Sequence, residues 1–190
     1  MQPHIKRVIC MHIKPIISAG LWFCFLLIIL AALSRLVPHP PNFTPIGALG
    51  LFAGAYIAMR RYWLVPLAAL LISDLLIGFY HPVTMVSVYL AFIICTVIGR
   101  IVLMEQRTVL RVGATTLSAS VIFFVLSNFG DWLSGVNYPL TWEGLVTCYV
   151  MAIPFFGNTI LGDLFYVALL FGTYESVRLW MDQAQDVRSA

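Results

Sequence analysis

The sequence predicts an all-α protein, a bundle of six transmembrane helices with the N- and C-termini cytoplasmic. Three observations carry that expectation. Charged residues make up 10% of the 190-residue chain, where a soluble domain holds roughly 25%, and the mean hydropathy is +0.94. Apolar residues gather into six runs, most near the ~20 residues a helix needs to cross a bilayer. Basic residues fall almost entirely on one side of those runs.

The runs cover about 16–36, 46–59, 62–80, 84–104, 108–129 and 145–173, with 174–190 expected as a cytoplasmic amphipathic tail. Lys6, Arg7 and Lys14 precede the first run as they would in a secretory leader. Its apolar stretch exceeds the usual 7–15 residues and no A-x-A site precedes Arg35, so it reads as a retained span. The second run is short, and Gly47, Gly50, Gly54 and Ala58 recur three or four residues apart on it. Such a face of small residues lets helices approach closely, and equally offers a docking face for a partner subunit.

Asp74 lies in the outer half of the third run. The last run is too long for one span. Pro154 and Gly157 predict a break or kink near Asn158, and broken helices border cavities. Beyond it, Val177, Trp180, Met181 and Ala184 share a face opposite Arg178, Asp182 and Asp186, the pattern of a helix lying on the membrane surface.

Orientation follows from the basic residues. With the N-terminus inside, the cytoplasmic side holds Lys6, Arg7, Lys14, Arg60, Arg61, Arg100, Arg107, Arg111, Arg178 and Arg188, and the outer side holds only Arg35. Ten against one is a strong positive-inside signal, and it requires an even number of spans. The outer connectors are then 35–45, 79–82 and 127–144. The first contains Pro38, Pro40, Pro41 and Pro45, which cannot continue a helix because proline lacks the N–H and clashes with the preceding turn. It reads as a lid or as a plain connector. Irregular, polar and aromatic residues concentrate on this side, where binding loops on a rigid scaffold are found.

Candidate ligand-binding residues follow from that asymmetry. A carboxylate at Asp74 costs roughly 2.5–3.5 kcal/mol to insert, so it requires a partner or water. Its readings are a structural hydrogen bond, the wall of a binding cavity, or a proton relay. Arg35 is the natural partner, for Asp74 or for an anionic ligand group. His39, Asn42, Tyr80 and His81 lie on the outer connectors, and Asn128, Trp132 and Tyr138 on the third of them. The aromatic residues fit either an interfacial belt or the wall of a pocket for a flat organic ligand. Asp163 is expected to be structural or to dock a partner. Asn42-Phe43-Thr44 spells a glycosylation sequon, which is discounted without a secretory context.

Several chemistries are excluded or unsupported. The chain has no GxxxxGK[ST] phosphate loop, no CxxC or HExxH spacing among its four cysteines and four histidines, and no recognisable Ser-His-Asp arrangement. No cofactor and no enzymatic activity are expected. The net charge of +3 follows from residues flanking the membrane, so nucleic acid is not an expected partner. The lipid bilayer is.

The runs Pro38-His-Pro-Pro-Asn-Phe-Thr-Pro45, Gly47-Ala-Leu-Gly-Leu-Phe-Ala-Gly-Ala55 and Leu71-Ile-Ser-Asp-Leu-Leu-Ile-Gly78 resemble a family of small uncharacterised bacterial integral membrane proteins. Ser127-Asn-Phe-Gly130, Tyr138-Pro-Leu-Thr141 and Pro154-Phe-Phe-Gly-Asn-Thr-Ile-Leu-Gly-Asp163 fit the same family. More distantly, the plan is similar to the S-components of energy-coupling-factor (ECF) vitamin transporters, with the cobalamin-binding subgroup most similar in layout. That resemblance implies an S-component-like bundle in the bacterial inner membrane, a ligand taken from outside under 35–45, 79–82 and 127–144, and Gly47, Gly50 and Gly54 docking a coupling subunit with its ATPases. It makes a vitamin-like molecule the ligand, a corrinoid first, as substrate rather than cofactor. Where the cobalamin subgroup has a cysteine in the third loop, this chain has Tyr80 and His81, whose imidazole is a candidate cobalt ligand. Uptake is therefore the first expectation. The alternative is a non-transporting scaffold or assembly subunit, or an intramembrane enzyme using Asp74, which predicts no roomy outer cavity.

Overall fold

The structure, a computed structural model, describes residues 22–189. Within that range it is all-helical: α1 Trp22–Ser34, α2 Ile46–Tyr56, α3 Leu64–Ile77, α4 Pro82–Leu103, α5 Val109–Leu133 and α6 Trp142–Ser189. The start of the first expected span lies outside the described residues, as do Lys6, Arg7, Cys10 and Lys14 and the side chains of Asp182, Ala184, Asp186 and Arg188.

The core is built on α2. Its sequence is apolar around its whole circumference and rich in small residues, so it has no face suited to water and becomes the buried central helix. Nine of its eleven residues are buried, and it packs against α3, α4, α5 and α6. Phe52 is its largest buried side chain, meeting Phe23 of α1 and Phe171 and Tyr174 of α6 at ring separations of 5.5–6.1 Å. The closest crossing is with α4. A Cβ at Gly54 would lie 2.6 Å from the backbone N of Arg100, and one at Gly99 would lie 2.9 Å from the Cα of Leu51. A Cβ at Gly50 would lie 2.6 Å from Thr96 Oγ1, and one at Gly47 would collide with the Asp163 carboxylate. The glycine stripe is thus used up inside the bundle. This corrects the expectation that Gly47, Gly50 and Gly54 dock a partner subunit: small residues were needed for α4 and α6 of the same chain.

A helix that ends inside a bundle needs partners for its last carbonyls. Arg100 donates to the carbonyl of Ile57 at 2.9 Å, and Arg107 to that of Ala55 at 2.7 Å. Both are cations at a helix C-terminus, where the dipole favours them. Arg107 also lies 4.5 Å above the Tyr56 ring. Tyr56 in turn donates to Glu175 Oε1 at 2.5 Å, tying the end of α2 to α6.

Helices α4, α5 and α6 are long and apolar enough to cross a membrane, whereas α1, α2 and α3 are shorter apolar helices. At 11 residues, α2 is about 17 Å long, well short of the ~30 Å hydrocarbon core. The long helices turn exposed Leu90, Ile94, Val121, Val125, Val150 and Met151 outward, apolar surface suited to lipid. The character of the chain is therefore that of a membrane protein.

Two boundaries depart from expectation. Helix α5 continues to Leu133, so Asn128, Asp131 and Trp132 lie on its last turns and the third outer connector shrinks to 134–141. Asn128 donates back to the Phe124 carbonyl at 2.7 Å and Ser134 to that of Asp131 at 2.6 Å, which is how polar residues persist at a helix end. Helix α6 runs unbroken for 48 residues through Pro154. The break expected near Asn158 is absent, and 174–189 continues the same helix.

A cavity beneath the proline-rich segment

The four prolines prevent helix between α1 and α2, and the segment folds as linked turns. Asn42 sits at φ +65, a left-handed conformation that asparagine tolerates better than most residues. Phe43 N–H donates to the Pro40 carbonyl at 3.0 Å. Two anchors hold the segment down. Phe43 packs on Phe165 and Tyr166 of α6 at ring separations of 5.8 and 5.6 Å. Its Cα lies so close to Gly162 that a Cβ there would approach to 3.1 Å.

The second anchor is electrostatic. Arg35 pairs with Asp74 Oδ1 at 2.7 Å and also donates to Ser73 Oγ. Tyr89 donates to Asp74 Oδ2 at 3.0 Å. With its side chain 2% exposed, Asp74 would carry a severe desolvation penalty alone; a short ion pair and a hydroxyl donor offset it.

Beneath this segment lies a cavity of about 400 Å³. Its mouth is formed by Arg35, His39, Asn42, Thr44 and Tyr80. Each wall is a helical stripe: Val88, Phe92 and Cys95 from α4, Ala119 and Phe123 from α5, Thr159 and Asp163 from α6. Those spacings of three and four place each set on one helix face. Residues Ile46 and Gly47 of α2 and Leu70 and Ile77 of α3 close the remainder. The interior is largely apolar, with a few polar groups at mouth and wall, as in small-molecule sites. Burial pushes the Tyr80 phenol up to about 12, the charge of Asp74 adds to this and Arg35 opposes it. Tyr80 is therefore a neutral hydroxyl at the mouth.

The structure brings Arg35, His39, Asn42 and Tyr80 together around the cavity. It does not place the other expected residues there. Asp74 is turned onto Arg35 and Tyr89. His81 is exposed and serves as the residue before Pro82 at the start of α4. Asn128 is engaged with its own helix. Trp132 donates to the Pro139 carbonyl at 3.0 Å and stacks on Phe129 at 5.5 Å, so it clasps the α5–α6 turn that carries Tyr138. Among the described residues, no group of three or more His, Cys, Asp or Glu is placed to hold a metal ion.

Sequence reasoning missed Asp163 as a cavity residue. It is 7% exposed, its Oδ2 accepts from Ser120 of α5 at 2.7 Å, and its carboxylate lies over Gly47 at the first turn of α2. The signal was present as Thr159 and Asp163 one turn apart on an apolar helix, but nothing in the sequence said which face of α6 looked inward.

The fold and site define a helical membrane protein with a partly open, small-molecule-sized cavity between its helices. Residues 17–185 match DUF6580, a family of unknown function, and the chain belongs to that family. No curated protein and no solved structure matches it.

Proposed function

We propose that the protein binds a vitamin-like small molecule from the outer face of the bacterial inner membrane and takes it up. In this reading the chain makes six passes with both termini cytoplasmic. The observation that carries it is the cavity of about 400 Å³ beneath residues 35–45, within the 300–1,000 Å³ range of small-molecule sites. The segment over it is held by the Arg35 pair at one end and by Phe43 against Phe165 and Tyr166 at the other, an arrangement suited to opening without unfolding the bundle. A scaffold has no need of that space, and an intramembrane enzyme using Asp74 would need that carboxylate free and facing it, whereas it is engaged by Arg35 and Tyr89.

A corrinoid is far larger than a ligand that fills 400 Å³, so its entry requires residues 35–45 to lift, after which His81 is a candidate for the cobalt. A smaller vitamin-like molecule fits the closed form. With no phosphate loop in the chain, energy for uptake comes from a partner such as an ECF-type coupling subunit with ATPases, or uptake is facilitated only. Mass spectrometry of ligand co-purified with the protein tests the reading. Ala119→Phe, which fills the cavity, is expected to remove the ligand while leaving the helical content unchanged. Protein that carries no ligand and responds to no compound in a vitamin panel sinks the proposal.

A further inference from the structure

Two carboxylates are buried near the cavity, and their surroundings differ. Asp74 has Arg35, Ser73 and Tyr89. Asp163 has Ser120 on Oδ2; among the described residues none donates to Oδ1 and no cation pairs with either oxygen. Arg35 cancels Asp74, whereas Asp163, set against the first turn of α2 whose N–H groups favour an anion, has no side-chain cation among the described residues. Position 47 keeps it accessible, since any side chain larger than glycine's would occupy the space in front of the carboxylate.

We propose that the ligand is a small organic cation whose ammonium or amidinium group is held by Asp163. This rests on the small-molecule reading above and narrows it. An ionisable side chain at membrane depth is a functional group by default, and a buried carboxylate gains most from a partner that brings both charge and hydrogen-bond donors. The neighbouring groups suit such a ligand. Thr159, one turn before Asp163, donates to its own helix at 3.1 Å and keeps lone pairs to accept an N–H. Phe92 and Phe123 stand 4.7 Å apart at 32° and line the same cavity, offering ring faces to the cation and to a flat body. Pinning α5 to α6 through Ser120 uses only Oδ2 and would be served equally by asparagine, so that role leaves Oδ1 unexplained.

The test uses the full-length protein in nanodiscs and two matched pairs of probes, tryptamine with tryptophol and benzylamine with benzyl alcohol. Each pair differs in an ammonium against a hydroxyl. The expected result is at least tenfold tighter binding of an amine than of its alcohol by calorimetry. Asp163→Asn, which keeps an oxygen for Ser120, should abolish that preference. If this variant fails to fold, Phe123→Leu replaces it and should weaken the amine about threefold more than the alcohol. Equal affinities within both pairs, or a preference that survives Asp163→Asn, overturn the cation while leaving a small-molecule cavity in place. No binding by any of the four compounds also overturns it, and the co-purification experiment then decides the parent reading separately.

Discussion

Arg35 and Asp74 show how one buried pair fixes a loop. Removing the arginine leaves a carboxylate with almost no water access, so Arg35→Ala is expected to destabilise the protein by about 3 kcal/mol, read as a fall in thermal midpoint in detergent. Arg35→Met combined with Asp74→Leu removes both charges and should recover a large part of that loss; a double variant as unstable as Arg35→Ala would refute the pairing argument. Tyr80 makes a pH prediction. Its phenol is raised from 10.0 to about 12, so the folded state holds the proton more tightly than the unfolded one. The stabilising contribution is complete below pH 10 and is lost as pH rises through 12, and Tyr80→Phe should flatten this part of an alkaline melting series. Arg35 was legible in the sequence as the natural partner of Asp74, and the two are paired in the structure. Asp163 was not, because its role depends on the rotation of α6 about its own axis, which apolar residues on nearly every side conceal.

At the scale of single elements, α2 and the proline-rich segment make opposite demands. The segment was readable as irregular from its prolines alone, and it is non-helical between α1 and α2. Helix α2 was readable as a close-packing helix from its glycines, but not its partner: a small-residue stripe looks the same whether it meets another subunit or, as here, α4 and α6. Gly54→Leu should therefore destabilise the folded chain by roughly 1–3 kcal/mol or more, because the obstacle is the α4 backbone. A change confined to complex formation, with the melting point unaltered, would restore the docking interpretation. The α5 extension escaped notice because Asn128, Asp131 and Ser134 read as loop residues, yet Asn128 and Ser134 donate to carbonyls of the helix end and Asp131 accepts from Asn137 of the following turn. Loosening the lid is a separate test: Phe43→Ala should speed hydrogen exchange at 37–44 several-fold while α2 and α4 keep their protection.

For the whole molecule, the helical class followed from hydropathy, whereas the way short and long helices share the membrane did not. Among the described residues three helices are long enough to cross alone and three are shorter; α2 is surrounded by protein instead of lipid, and its length answers to packing. The proposed six-pass arrangement with both termini cytoplasmic makes a direct prediction. In a background lacking the native cysteines, a cysteine at position 39 should react with an impermeant maleimide in intact cells, and one at position 61 only after permeabilisation. Both sites labelling from the same side would require a different topology.

The unbroken α6 has a mechanical meaning. Gly162 lies directly against the lid at Phe43, and Glu175 grips the far end of α2 through Tyr56. From 162 to 175 is about 20 Å of a single helix. One continuous helix therefore joins the segment over the cavity to the end of α2, so a shift of α6 would be felt at both contacts.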